Sequence, residues 1–306
     1  MHYLICGLSV SADMPLPGVW RTDPVDKPDV IIRVSSIPRQ FDDHGSADRI
    51  WSVTGQDFLL KIPGLMRLLV HGGRDMVVEP AAGVAVAETV PFILSTGIGA
   101  ILHQRNILAL HAATVAWQGQ GIALCGQAGI GKSTMAATLC QIGAQFLGDD
   151  VAAVRMDGGG RPLVYPDGRQ HRLWADAVAH LDLTSRRSDP VRLHLDKFHV
   201  SPDQGAEADR APLPLSTIVL LRDRPHTAPP APPEIQDLPL VDALPLLRAE
   251  VFRPKLAERM EHAGRLFTQI AGLLGHVRVL RLQRTRSLAD LRSDAQLLLS
   301  RIAEAR

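Results

Sequence analysis

The run Gly126-Gln127-Ala128-Gly129-Ile130-Gly131-Lys132-Ser133 constrains this chain more than any other stretch. It fits the pattern GxxxxGK[ST] and has the flanks that pattern requires. The apolar residues 122–125 before it read as a strand. After it, Met135, Ala136, Leu139, Cys140 and Ile142 recur at helical spacing, with Gly143 placed to end the helix. The physical logic is anion binding. Glycines let several backbone N–H groups turn inward on phosphate oxygens, and the following helix N-terminus adds partial positive charge. Lys132 would bridge the β and γ phosphates, Ser133 would ligate Mg²⁺, and Thr134 completes the loop. The expected ligand is therefore ATP with Mg²⁺.

Two further features bear on chemistry. Asp149-Asp150 lies sixteen residues beyond Ser133, after Phe146-Leu147-Gly148 and before a strand at 151–154. One carboxylate there can hold Mg²⁺ while its neighbour takes a proton from an attacking hydroxyl. A solvated turn in which Asp caps backbone N–H groups is the competing reading. His111 heads the strand expected over 111–117, where a lone histidine reads first as a neutral, hydrogen-bonded strand end. Arg172, Lys197 and His199 are candidate cations for a transferring phosphoryl group, each also readable as a surface residue. Trp174 reads as a core side chain, Asp176 and Asp182 as helix or turn acids. The surroundings of His194 lack the clustering of a metal site.

Around the loop, the first 90 residues read as a β-rich module with short strands at 3–8, 30–34, 51–53, 58–62, 68–70 and 76–78. Residues 91–306 form a second unit that carries the loop. A helix is expected over about 92–104, and Gln118-Gly119-Gln120-Gly121 reads as a tight turn between strands 111–117 and 122–125. Asp157-Gly158-Gly159-Gly160 reads as the tip of a hairpin. Strands are expected at 217–221 and 277–282, helices over 254–274 and 287–305, and a proline-rich loop over 225–239.

Charge and cysteine content narrow the partners. With 33 basic and 32 acidic side chains the net charge is +1, so no long-range field draws the chain to nucleic acid or an anionic membrane. The most apolar run, 90–102, is interrupted by Pro91, Ser95, Thr96, Gly97 and Gly99 and is shorter than the ~20 residues of a membrane span, so a buried helix is expected. Cys6, Cys125 and Cys140 are an odd number without ligand spacing, which fits reduced thiols and a cytoplasmic protein. The sequence leaves homo-oligomer formation open.

His111, the strand-turn-strand after it, the loop at 126–133 and Asp149-Asp150 together resemble the catalytic domain of the HPr serine kinase/phosphorylase family. That resemblance implies an α/β fold in which a mainly antiparallel or mixed sheet carries the loop, with phosphoenolpyruvate carboxykinase as a distant structural relative. It also implies that His111 lies near the transferred phosphate, that Asp149 is the general base and that Asp150 assists through the metal. Two departures separate the chain from HPr kinases proper. Thr134 stands where they carry an acidic residue, and no Arg-Gly-x-Gly follows between 151 and 192. Leu110-His111-Ala112, Gly131-Lys132-Ser133-Thr134 and Asp149-Asp150 are similar instead to kinases of lasso-peptide biosynthesis, which phosphorylate the C-terminal serine of a precursor peptide. The expectation is an ATP-dependent serine kinase acting on a peptide or small protein. HPr phosphorylation, or nucleotide sensing without transfer, are the alternatives.

Overall fold

Alternation of buried and half-exposed residues builds the first eighty residues into a sheet. The computed structural model describes residues 1–40, 50–192, 195–202, 211–224, 232–261, 263–285 and 287–304. Its strands β1 (His2–Ile5), β2 (Leu8–Ala12), β3 (Val30–Val34), β4 (Trp51–Thr54), β5 (Asp57–Ile62), β6 (Met66–His71) and β7 (Asp75–Pro80) lie in the order β1-β2-β3-β7-β6-β5-β4. The strand expected over 3–8 is two strands. Cys6 and Gly7 both take positive φ (52° and 70°), so the chain reverses there and β1 pairs back on β2.

The helix Val86–Gln104 packs against this sheet. It is 19 residues long, several more than expected, and by length and composition it could cross a membrane, yet 67% of its apolar window is buried inside the fold. Ile93, Ile98, Ile101 and Leu102 share one core with Ile5, Val30, Phe58, Leu68 and Met76, so the apolar core runs across position 90. Each such side chain contributes about 1.5–3 kcal/mol on full burial. Gly97 permits the approach, since a Cβ there would lie 2.8 Å from Met76 Cε. Midway, residues Ile93–Gly97 form a π turn, a local widening that often marks functional surfaces.

The larger sheet contains β8 (Leu108–Leu110), β9 (Ala112–Trp117), β10 (Gln120–Cys125), β11 (Gln145–Gly148), β12 (Ala152–Met156) and β13 (Pro162–Tyr165). A small sheet follows from β14 (His171–Trp174), β15 (Arg187–Pro190) and β16 (Lys197–Val200). The chain then returns to the larger sheet as β17 (Leu213–Asp223), β18 (Glu234–Asp237) and β19 (Arg278–Arg284). Among the described residues its pairings are antiparallel except β10–β17 and β17–β19, so the loop-bearing strand has one antiparallel and one parallel neighbour. This is a mixed α/β architecture with a mainly antiparallel sheet, as expected.

Helices cover both faces of that sheet. Lys132–Gln141 and Leu291–Ala303 bury Met135, Leu139, Leu298 and Ile302 on one side. Leu240–Ala249 and Ala263–Leu274 bury Leu247, Leu266 and Ile270 on the other. The single helix expected over 254–274 is two, Pro254–Glu261 and Ala263–Leu274, and the last begins at Leu291 rather than 287. Of the proline-rich stretch, 225–231 lie outside the described residues. Its end is not loop, because Glu234–Asp237 pairs with β19 as an edge strand.

Candidate active site

Strand register brings the chemistry-bearing residues to one end of the larger sheet. β9 runs antiparallel to β10, and Ala112 sits opposite Cys125, so His111 comes beside the start of the glycine loop. β11 is antiparallel to β9 and therefore runs with β10, which carries Asp149-Asp150 to the same end. His111 is not within a strand. It occupies the break between β8 and β9, its N–H donating 2.8 Å to the Glu250 carbonyl.

The loop itself is a cradle for anions. Gly126, Gly129 and Gly131 all take positive φ, at 148°, 81° and 98°. Gly131 caps the helix Lys132–Gln141 in the left-handed region that L side chains rarely adopt. Ala128 to Thr134 line a cleft of about 540 Å³ together with His111, Asp149, Asp150, Arg172, Trp174, Lys197 and Arg284. Gly126 and Gln127 lie behind it, where their carbonyls accept Lys132 Nζ at 2.7 and 3.1 Å. The ammonium is thus already held over the loop, and burial lowers its pKa against the pull of Asp149.

The two carboxylates occupy different surroundings. Asp149 is buried; its Oδ1 accepts the Ser133 hydroxyl at 2.9 Å and its Oδ2 accepts the Arg172 N–H at 2.9 Å. Asp150 is held by the Arg172 guanidinium at 2.5 Å, with His111 Nε2 3.8 Å away. Burial disfavours its charge, but Arg172, Arg169 and His111 outweigh burial and hold its carboxyl below the usual range. His111 is itself pushed down to about 4, by burial first and then by Lys132, so its ring is neutral at physiological pH. Asp150 also takes φ 82°, a conformation Asp tolerates better than most side chains.

A nucleoside triphosphate with Mg²⁺ fits these groups. A glycine loop at positive φ before a helix N-terminus and a buried ammonium match phosphate oxygens, and the Ser133 hydroxyl beside the Asp149 carboxylate is a hard-oxygen pair of the kind Mg²⁺ takes alongside phosphates. Among the described residues no group of three or more His, Cys, Asp or Glu forms a metal centre without such phosphates.

Several side chains stand elsewhere than the sequence suggested. Trp174 is 45% exposed rather than a core residue; it lines the cleft, with Lys197 Nζ 5.8 Å from its ring centroid. Arg172 and Lys197 stand on the paired strands β14 and β16, opposite His199 and Trp174 respectively, and are not loop residues. Asp176, in the first turn of the helix Ala175–His180, also reaches the cleft. Asp182 is a turn residue at φ 52°, His199 faces a neighbouring cavity, and His194 lies outside the described residues.

Arg284 was not legible in the sequence. It ends β19, whose parallel partner β17 is itself parallel to β10, so Arg284 arrives at the same sheet end from more than 150 residues away. A Cβ on Gly131 would lie 3.0 Å from its Nη2, which places the guanidinium on the loop. Only its place at the end of the strand run 277–282 would have hinted at it.

No family model and no curated protein matches the chain. Among solved structures it is similar to the "Hpr(Ser) kinase/phosphatase from Coxiella burnetii", with 13% identity and a TM-score of 0.35. That likeness covers 65% of this chain and 99% of the other.

Proposed function

We propose that this protein is a Mg²⁺-dependent phosphotransferase that moves the γ-phosphoryl group of ATP to a serine hydroxyl on a peptide. The observation that carries the reading is the meeting, in one cleft, of a phosphate cradle, the Ser133–Asp149 pair and the Asp150–Arg172–His111 cluster. In this account the loop amides, Lys132 and Arg284 hold the phosphates. Bound Mg²⁺ neutralises charge on the transferred group. The Ser133–Asp149 contact favours Asp149 as the metal-side carboxylate and leaves Asp150, the more accessible of the two, as the proton acceptor. This exchanges the roles implied by the family resemblance. The acceptor hydroxyl gives its proton to Asp150 as its oxygen bonds to phosphorus, the bond to the β–γ bridging oxygen breaks, and ADP leaves. Arg172 keeps Asp150 ionised and oriented for that step. Positioning supplies most of the rate.

Serine-ended precursor peptides, the acceptor implied by the resemblance to lasso-peptide kinases, are the first to try. The test offers γ-labelled ATP to the purified protein with such a peptide, with HPr, and with no acceptor. Label in the peptide supports the reading; label in HPr alone replaces the peptide with HPr. Bound ATP without label in any arm points to a nucleotide sensor instead.

A further inference from the structure

A second cavity of about 600 Å³ adjoins the phosphate cleft, within the size range of ligand pockets. Arg172 lines both, so the two spaces meet at the side chain that holds Asp150. Three parts of the fold wall the second cavity: the turn at Pro17-Gly18, the helix start and π turn from Val90 to Leu94, and the small sheet through Asp189, Pro190 and His199. The walls are mostly apolar. Charge in them is nearly cancelled: Arg169 is paired with Asp167 and Arg172 with Asp150, which leaves Arg192 against Glu88 and Asp189. Arg192 lies over Phe92, its Cζ 4.7 Å from the ring centroid.

Two observations point to an occupant. His199 is only 9% exposed and packs its ring on Gly18, where a Cβ would collide with its Nδ1, while burial pushes its pKa down to about 4, so the ring adds no charge to this wall. Alongside, β15 is the outer strand of the small sheet and all four of its residues are exposed, an edge that an extended backbone can join.

We propose that this cavity binds the acceptor as an extended peptide segment with uncharged, apolar side chains beside its hydroxyl, delivered to Asp150 past Arg172. The inference rests on the phosphotransferase reading above and adds the acceptor's chemistry to it. A free amino acid or a strongly charged segment would leave the apolar walls unfilled or bury unpaired charge. β15 supplies backbone pairing and the apolar walls supply selectivity, the division of labour general to strand addition.

The test uses the whole protein and short peptides with a central serine, whose flanking positions are fixed in turn as Leu, Phe, Lys, Glu or Gly, with free L-serine as a small acceptor. Ala87 lines the cavity, is exposed, and lies away from the nucleotide loop, so Ala87→Trp narrows the cavity without disturbing a packed core. The expected result is at least a tenfold higher kcat/KM for Leu or Phe flanks than for Lys or Glu. Ala87→Trp then lowers kcat/KM on those peptides at least tenfold through KM, and shifts MgATP affinity less than twofold. Equal use of all flanks, free serine as good an acceptor as the peptides, or an unaffected Ala87→Trp protein each overturns the cavity assignment and leaves the transferase standing. No label in any acceptor while MgATP still binds overturns both.

Discussion

Replacing Asp150 with Asn separates the proposed proton acceptor from everything else in the cleft. Asn keeps the size of the side chain and tolerates the left-handed φ of 82° that Asp150 occupies, so the backbone there need not move. What changes is charge. Arg172 loses the carboxylate 2.5 Å from its guanidinium, and both side chains are largely buried, at 18% and 14% exposure. Breaking a buried pair from one side costs about 3–5 kcal/mol; residual solvent contact and the amide oxygen that Asn still offers reduce this to roughly 2–3 kcal/mol. In a chain of 306 residues that lowers Tm by about 3–5 °C. The catalytic loss is larger, about 10²–10⁴-fold in phosphoryl transfer, as for removal of a general base. MgATP affinity stays within about threefold by calorimetry, because Lys132, Ser133 and the loop are untouched. Transfer retained within tenfold of wild type would refute the assignment of Asp150. Loss of MgATP binding with a wild-type Tm would instead place Asp150 on the nucleotide.

Three other outcomes follow from the same geometry. Lys132→Ala removes the ammonium proposed to hold phosphate, now bonded to the Gly126 carbonyl, and weakens MgATP binding by about 10–100-fold in calorimetry, with little change in circular dichroism. Gly131→Ala forces an L side chain to φ 98° and its Cβ to 3.0 Å from Arg284, costing roughly 1–2 kcal/mol of stability, seen as a lower urea midpoint, and weakening nucleotide binding. His171 is buried and its folded pKa is pushed down to about 4, so the unfolded chain takes up a proton first as pH falls. Its stabilising contribution is complete above about pH 6.5 and is lost between there and about pH 4, on the order of 3 kcal/mol, so His171→Asn flattens the Tm–pH curve in that window.

The site was legible where function is written in contiguous residues and obscure where the sheet assembles it. The loop and its flanking strand and helix follow from glycine spacing and apolar periodicity, and both appear within a residue or two of expectation. Asp149-Asp150 was found as a pair, but the division of contacts between the two depends on a turn at positive φ and on β14 approaching from beyond it. Arg172 and Lys197 read as ordinary surface charges because nothing local says that β14 and β16 pair and face the loop. Trp174 was misplaced by its own hydrophobicity; a large ring is a core residue by default, and only the position of β14 at the cleft leaves it exposed. Arg284 depends on two parallel pairings across widely separated strands. In the amino-terminal sheet, alternation located the strands, but not the reversal at Cys6-Gly7 that makes two from one.

The central claim is that this cleft transfers phosphate rather than only binding it. Mass spectrometry of a serine-ended peptide incubated with the protein and MgATP tests it directly, with ADP counted in the same sample. The account predicts one phosphoryl group on the serine, ADP formed one for one with phosphopeptide, and both products formed about 10²–10⁴-fold more slowly by the Asp150→Asn protein. Steady ADP release with an unmodified peptide, or phosphopeptide formed equally well by Asp150→Asn, would contradict it.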